Sequence, residues 1–245
     1  MSIGGRVAQA VVAAFLVGTV PSHGSAQVAP PIEYAYPDQS IWTTRLTPQG
    51  ELENPLLVFA ARLFTRVGIE WRAKAYPAAR MAEALRDGTA TFSMLVDSPA
   101  LRNCCLWSRM PVAQTEMRIF RLADRPPVDG REGLIGKDVI TIRGYTYGGL
   151  KGFLDDPANR VSDNVAGTRE AAFAMLRNGR ADYLIDYAGP AAEILAAHPI
   201  DNLVIQTLQR LEIRLVLAKS YPDAERVMAR LESAAENLRQ SAAPQ

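Results

Sequence analysis

The stretch Met175–Pro190, MLRNGRADYLIDYAGP, decides how the chain is read. It runs as the end of a helix, a glycine stop at Gly179, a short apolar strand over Tyr183–Ile185, and an acid–aromatic pair, Asp186-Tyr187, where the strand ends. Ala84–Phe92, ALRDGTATF, says nearly the same thing. Leu, Arg, Gly and Ala coincide, Asp87 stands against Asn178, and Phe92 stands against Tyr183. Helix-to-strand connections often end in glycine, so the echo gains weight only from what surrounds each copy. Two such units, 91 residues apart (Met175 against Ala84), point to two lobes built on one plan.

Working outward, both halves alternate helix and strand. Ile32–Tyr36 alternates as a strand and stops at Pro37. Asn54 as N-cap and Pro55 as first helical residue open a helix with Leu56, Phe59, Ala60, Leu63, Phe64 and Val67 at helical spacing, closed by Gly68. A strand over Ile69–Ala75, a helix from Pro77 to Gly88 and a buried strand over Thr91–Val96 follow. Asp97-Ser98-Pro99 breaks that strand, and Ala100–Trp107 reads as irregular or briefly helical. After the strand Thr115–Leu122, the polar, Pro/Gly-rich residues 123–133 mark a boundary. The second half holds strands at Val139–Ile142, Val161–Val165 and Tyr183–Ile185, and helices at Tyr147–Leu154, Thr168–Arg177 and Pro190–Ala197. Two further strands, Asn202–Thr207 and Ile213–Ala218, precede a final helix over Pro222–Ser241. This pattern predicts an α/β fold with largely parallel sheets. Ligands in such sheets sit at the carboxyl ends of the strands.

The N-terminus has the form of an export signal. Arg6 precedes an apolar run, Val7–Val20, too short to span a bilayer comfortably, and Gly24-Ser25-Ala26 offers a small-residue cleavage site. Cleavage is expected after Ala26, giving a soluble periplasmic protein. The formal charge is +1, with 27 Lys and Arg against 26 Asp and Glu, and loss of Arg6 makes the mature chain neutral. With no long basic run, nucleic acid is excluded as a partner. The chain has 2 cysteines, Cys104 and Cys105, which are adjacent. Neighbouring Cα atoms lie about 3.8 Å apart, below the usual disulfide range of about 4.4–6.8 Å. The pair reads as two small residues packing a lobe.

Catalytic patterns are sparse. His23 falls in the signal, leaving His198, and there is no Gly-x-Ser-x-Gly elbow, histidine pair at metal spacing or Walker loop. No metal or cofactor is implied. The carboxylates Asp155-Asp156, and Asp182 with Asp186, leave acid–base chemistry open. Binding patterns are better placed. Arg102, with Ser98 four residues before it, follows a strand end, and its planar guanidinium suits a carboxylate. Gly144–Gly148 lies between a strand and a helix start, where amide groups and the Thr146 hydroxyl can hold a polar group. Asp186-Tyr187 offers a carboxylate to an amine. All three fall at strand-to-helix edges.

The chain resembles the bacterial extracellular solute-binding proteins of family 3, the amino-acid-binding receptors of ABC importers. The residues that carry the likeness are Tyr76-Pro77-Ala78-Ala79-Arg80 leading to Leu85–Gly88, Ser98–Arg102 before Leu106-Trp107-Ser108, residues 136–148 (GKDVITIRGYTYG), and Leu176–Tyr183. The resemblance implies a type II periplasmic-binding fold, with lobe 1 at 27–122 and 213–245 and lobe 2 at 123–212, joined by two hinge crossings. It implies a non-enzymatic, monomeric receptor that passes a small ligand to a membrane permease. By the same resemblance Arg102 and Thr146 would hold an α-carboxylate, Asp186 an α-amine, and Tyr36, Trp42, Tyr145 and Tyr187 the walls, with Ser98 beside them. The chain departs from the family pattern at Pro99, where a threonine is usual, and in the spacing from Asp182 to Asp186. The alternatives are a periplasmic lyase or dehydratase using Asp186, and a soluble sensory partner of a receptor kinase.

Overall fold

The structure, a computed structural model, describes Met1, residues 29–37 and residues 55–242. The expected signal segment, Trp42 and the Asn54 cap lie outside the described residues. In chain order the elements are β1 (Ile32–Pro37), α1 (Pro55–Val67), β2 (Trp71–Tyr76), α2 (Ala78–Asp87), β3 (Phe92–Leu95), β4 (Cys105–Trp107) and β5 (Ala113–Leu122). Then come β6 (Asp138–Ile142), α3 (Leu150–Leu154), β7 (Ser162–Ala166), α4 (Arg169–Arg177), β8 (Tyr183–Tyr187), α5 (Ala188–Ala197), β9 (Leu203–Ala218) and α6 (Ala224–Ala242).

Two parallel triplets repeat one plan. β1 lies between β2 and β3, and β6 lies between β7 and β8, with all four pairings parallel. Parallel neighbours need a crossover, which α1 and α2 supply in lobe 1 and α3 and α4 in lobe 2. The echoed segments occupy matching places. α2 ends at Gly88 (φ 81°) and feeds β3, while α4 runs to Gly179 (φ 63°) and feeds β8. One outer strand of each triplet then meets an antiparallel partner, β9 beside β3 and β5 beside β8, while β2 and β7 end the sheet order.

β5 and β9 also pair with each other, from Ala113↔Ile213 to Leu122↔Leu203. The two strands expected at Asn202–Thr207 and Ile213–Ala218 are therefore one strand of 16 residues. No glycine or proline interrupts Leu208–Glu212, so the polar residues there break the apolar pattern without breaking the ladder. The register slips between Met117 and Arg118, where Leu208 is the extra residue of a bulge. Cys105–Trp107, expected to be irregular or helical, is a short strand on β9, with Cys105 opposite Ala218 and Trp107 opposite Val216.

Both sheets are covered on two faces, so adjacent strand residues enter different cores. In lobe 1, Leu215 packs with Leu57, Phe64 and Leu231 under α1 and α6, while Val216 packs with Met81, Leu85 and Leu101 under α2. In lobe 2, Ile185 packs with Met117 and Tyr147, while Leu184 packs with Phe120, Phe173 and Leu176 under α4. β9 passes from one lobe's core to the other's between Leu211 and Ile213.

Cys104 and Cys105 are free thiols with sulfurs 2.8 Å apart, and Cys105 is buried against Leu85 and Leu101. Burial, then the neighbouring Cys104, pushes the Cys105 thiol up to about 12. Thiolate is the reactive form. Iodoacetamide at mildly alkaline pH should therefore leave Cys105 unmodified in the folded protein and alkylate it in denaturant, read by peptide mass spectrometry. Rapid labelling of Cys105 in the native state would contradict this placement.

Candidate ligand-binding cleft

A cavity of about 120 Å³ lies between the lobes. That is room for roughly ten water-sized groups, the scale of a small organic molecule. Its walls are built where strands end, as expected for parallel sheets. Lobe 1 contributes Tyr34, Tyr36 and Pro37 from β1, Met94–Val96 and Ser98 from β3 and its exit, and Met81 from α2. Lobe 2 contributes the turn Gly144–Thr146 after β6, Arg169 at the start of α4, and Tyr187 at the end of β8. Thr115 and Ile213, on the crossing strands, complete it.

Gly144 sets how near the lobes come. Its φ is 84°, a conformation that favours glycine, and a Cβ there would lie 2.7 Å from the Ala79 backbone nitrogen of lobe 1. Beyond it Tyr147 adopts a positive φ of 51° and is fully buried. Its hydroxyl accepts a hydrogen bond from the Ile142 N–H at 2.7 Å, and its ring stacks on Tyr187 at 5.7 Å. Tyr145 sits 5.9 Å from Tyr187 and 6.0 Å from Tyr147. Burial pushes the Tyr147 and Tyr187 phenols up, so both stay neutral across the physiological range. Among the described residues the amide and hydroxyl of Thr146 are committed to no hydrogen bond.

The strongest electrostatic feature is a buried ion pair. Arg169 donates from Nε to Asp186 Oδ2 at 2.7 Å and from Nη2 to Oδ1 at 3.2 Å. The side chains are 3% and 0% exposed. Burial pushes the Asp186 carboxyl up, and the Arg169 charge works the other way. Burial also opposes the Arg169 charge, but Asp186 outweighs it and the guanidinium remains a cation. Its centre lies 5.2 Å from the Tyr145 ring centroid. Arg169 Nη1 is buried and has no hydrogen-bond partner among the described residues.

The residues expected to bind ligand are not all brought together. Tyr36, Ser98, Tyr145, Thr146 and Tyr187 line the cavity. Arg102 does not. Ser98–Leu101 folds as a 3₁₀ turn that buries Ser98 and Leu101, and Arg102 caps its outer end, 62% exposed and paired with Asp97. Asp186 is not on the wall either, because its carboxylate is held by Arg169 within lobe 2. Sequence reasoning missed Arg169, although a signal existed. Thr168 caps α4 by accepting from the Ala171 N–H, which puts an arginine in the helix's first turn, where the helix dipole disfavours a cation. The described lining residues include no His, Cys, Lys, Asp or Glu, and no metal-ligating cluster occurs among the described residues.

The sequence matches no protein-family model and no curated protein. Solved structures do match. A histidine kinase sensor domain with similarity to periplasmic binding proteins aligns with a TM-score of 0.73 at 18% identity, covering 87% of this chain and 92% of that one. An ancestral arginine-binding protein bound to arginine aligns at 0.70 and 15% identity, covering 87% and 94%. The substrate-binding protein of an amino acid ABC transporter aligns at 0.66 and 13%, covering 86% and 94%. The chain has the two-lobed periplasmic-binding-protein fold. These neighbours are named for binding and sensing rather than for catalysis.

Two outcomes follow from the geometry. Gly144→Val should hold the lobes apart, seen as a larger radius of gyration in small-angle scattering, and lose about 1–2 kcal/mol of stability from the positive φ. Asp186→Asn should cost about 3–5 kcal/mol in urea unfolding by stranding a buried cation, whereas Arg169→Met with Asp186→Leu should be near neutral.

Proposed function

We propose that the protein is a periplasmic solute receptor, cleaved after Ala26, whose lobes close on an amino acid or related organic acid. It acts as a monomer and presents the ligand to the permease of an ABC importer. The observation that carries this reading is a cavity of small-molecule size walled by strand ends from both lobes, with the crossing strands between them. Tyr36, Ser98, Tyr145, Thr146 and Tyr187 contact the ligand, with Arg169 in place of Arg102 as the charged group of the wall. The amino acid ABC transporter neighbour supports the importer role. The sensor-domain neighbour favours a second reading, in which the same closure is read by a receptor kinase.

Thermal melting against a panel of amino acids, amines and organic acids tests the shared core of both readings. A ligand at a hundredfold excess over its Kd adds about 2.7 kcal/mol, or roughly 5–10 °C in a chain of this size. A flat response across all three classes would sink both readings. With a ligand in hand, stimulation of a reconstituted permease or of kinase autophosphorylation separates them.

A further inference from the structure

We infer that Cys104 and Cys105 form a redox modification site, in which a small-molecule disulfide oxidises the adjacent thiols to a reversible vicinal disulfide and so loosens the 3₁₀ turn on lobe 1's side of the cavity. The inference goes beyond the receptor reading above and does not depend on it.

The two sulfurs lie 2.8 Å apart, well inside ordinary contact. Little motion separates them from an S–S bond of about 2.05 Å. The two thiols are unequal. Cys104 is partly exposed, and its Sγ donates to the Leu101 carbonyl at 3.3 Å. Cys105 is 2% exposed and packs with Leu85, Leu101 and Val216. An incoming reagent therefore reaches Cys104 first. Lys219 stands beside the pair, donating from Nζ to the Asn103 carbonyl at 3.0 Å and to the Arg102 carbonyl at 3.4 Å. A nearby cation favours the thiolate.

The exchange runs in two steps. The Cys104 thiolate attacks one sulfur of the reagent, breaks its S–S bond and releases one thiolate, leaving a mixed disulfide on Cys104. Cys105 then gives its proton to solvent and attacks the Cys104 sulfur. The mixed S–S bond breaks, and the second reagent thiolate leaves. Two electrons pass from the cysteines to the reagent, which ends as two thiols. In the reduced pair Cys104 adds to the upward push of burial on the Cys105 thiol, while Lys219 works the other way. The mixed disulfide removes the thiol of Cys104 and with it that added push, so Cys105 ionises more readily for the second step.

The product is strained, because neighbouring Cα atoms lie about 3.8 Å apart, short of the usual disulfide range of about 4.4–6.8 Å. Strained disulfides are readily reduced, which makes the step reversible. The strain falls on one side of the bond. Cys105 opens β4 and is held against β9 opposite Ala218, and the Lys219 N–H donates to the Cys104 carbonyl at 2.9 Å. On the other side stands the 3₁₀ turn, closed by the Leu101 N–H on the Ser98 carbonyl at 3.0 Å and the Arg102 N–H on the Pro99 carbonyl at 3.3 Å. Oxidation also takes away the hydrogen that Cys104 donates to Leu101. Ser98 and Leu101 line the cavity, so a change in this turn reaches the cleft wall.

The test needs no ligand. The folded protein, reduced and desalted, is incubated with oxidised glutathione, quenched in acid and alkylated with N-ethylmaleimide in denaturant. Peptide mass spectrometry should show both maleimide additions lost together and the peptide lighter by its two thiol hydrogens. Reduced glutathione should restore both additions. In the oxidised protein, hydrogen–deuterium exchange over residues 98–104 should be about tenfold faster or more, with β6, β7 and β8 unchanged. Cys104→Ser should show neither effect under the same treatment, and Cys104→Ala replaces it should that variant fail to fold. A lasting glutathione adduct on Cys104, disulfide-linked dimers, or two thiols that survive the oxidant would overturn the site. A vicinal disulfide that leaves exchange over residues 98–104 unchanged would overturn its link to the cleft. Either result leaves the receptor reading standing.

Discussion

The ladder between β5 and β9 is the constraint on which the other elements depend. It pairs each residue of β5 with one of β9, from Ala113 to Leu122. At its ends β9 joins β3 in one lobe, and β5 joins β8 in the other. The lobes are thus two parallel triplets hung from one antiparallel ribbon. Such a ribbon keeps its hydrogen bonds while it twists, and its bulge at Leu208 lies on the lobe 2 side of the crossing, where Met117 and Arg118 already pair with β8. A cleft beside that ribbon can change width with little loss of backbone hydrogen bonding. That property is what hinge closure around a ligand demands.

The Arg169–Asp186 pair is the second constraint, and its energetics differ in kind. Removing two charges from water costs several kcal/mol each, which their attraction repays only with good geometry. Here the geometry is good on one edge and incomplete on the other, since Nη1 is left over. A pair kept purely for stability would gain by satisfying that nitrogen or by being replaced with apolar side chains. The position of Arg169 in the first turn of α4, against the helix dipole, adds to the cost. The place in the cleft wall proposed above for Arg169 would account for a residue that the scaffold alone does not favour.

Most of the scaffold was legible because its punctuation is local. Gly68, Gly88 and Gly179 adopt the positive φ that ends a helix, and Pro55 and Pro77 stand at helix starts. Apolar spacing then located α1, α4 and α6 to within a few residues. β9 escaped because Gln209, Arg210 and Glu212 interrupt the apolar pattern as it nears the crossing, and its continuity depends on β5, far away in sequence. The site was legible in its backbone and less so in its charges. The turn at Gly144–Thr146 and the end of β8 lie where the sequence placed them. The direction of an arginine side chain is set by its neighbours in space. Arg102 follows a 3₁₀ turn that turns it toward Asp97, while Arg169 is drawn inward by a carboxylate 17 residues away. Nothing in the local sequence of either residue encodes that exchange.

That exchange also changes what the fold can recognise. The resemblance stated above assigns one lobe an arginine for an α-carboxylate and the other an acid for an α-amine. In this chain the acid is satisfied within its own lobe, and the only charged side chain of the described wall belongs to that same lobe. On the receptor reading proposed above, lobe 2 would therefore supply the charged contact, and lobe 1 mainly shape through β1, α2 and β3. A ligand would first be held by its polar end on lobe 2, with closure of lobe 1 burying its apolar body. The energy of closure then comes chiefly from apolar contact, which scales with the size of that body at roughly 25 cal/mol per Å².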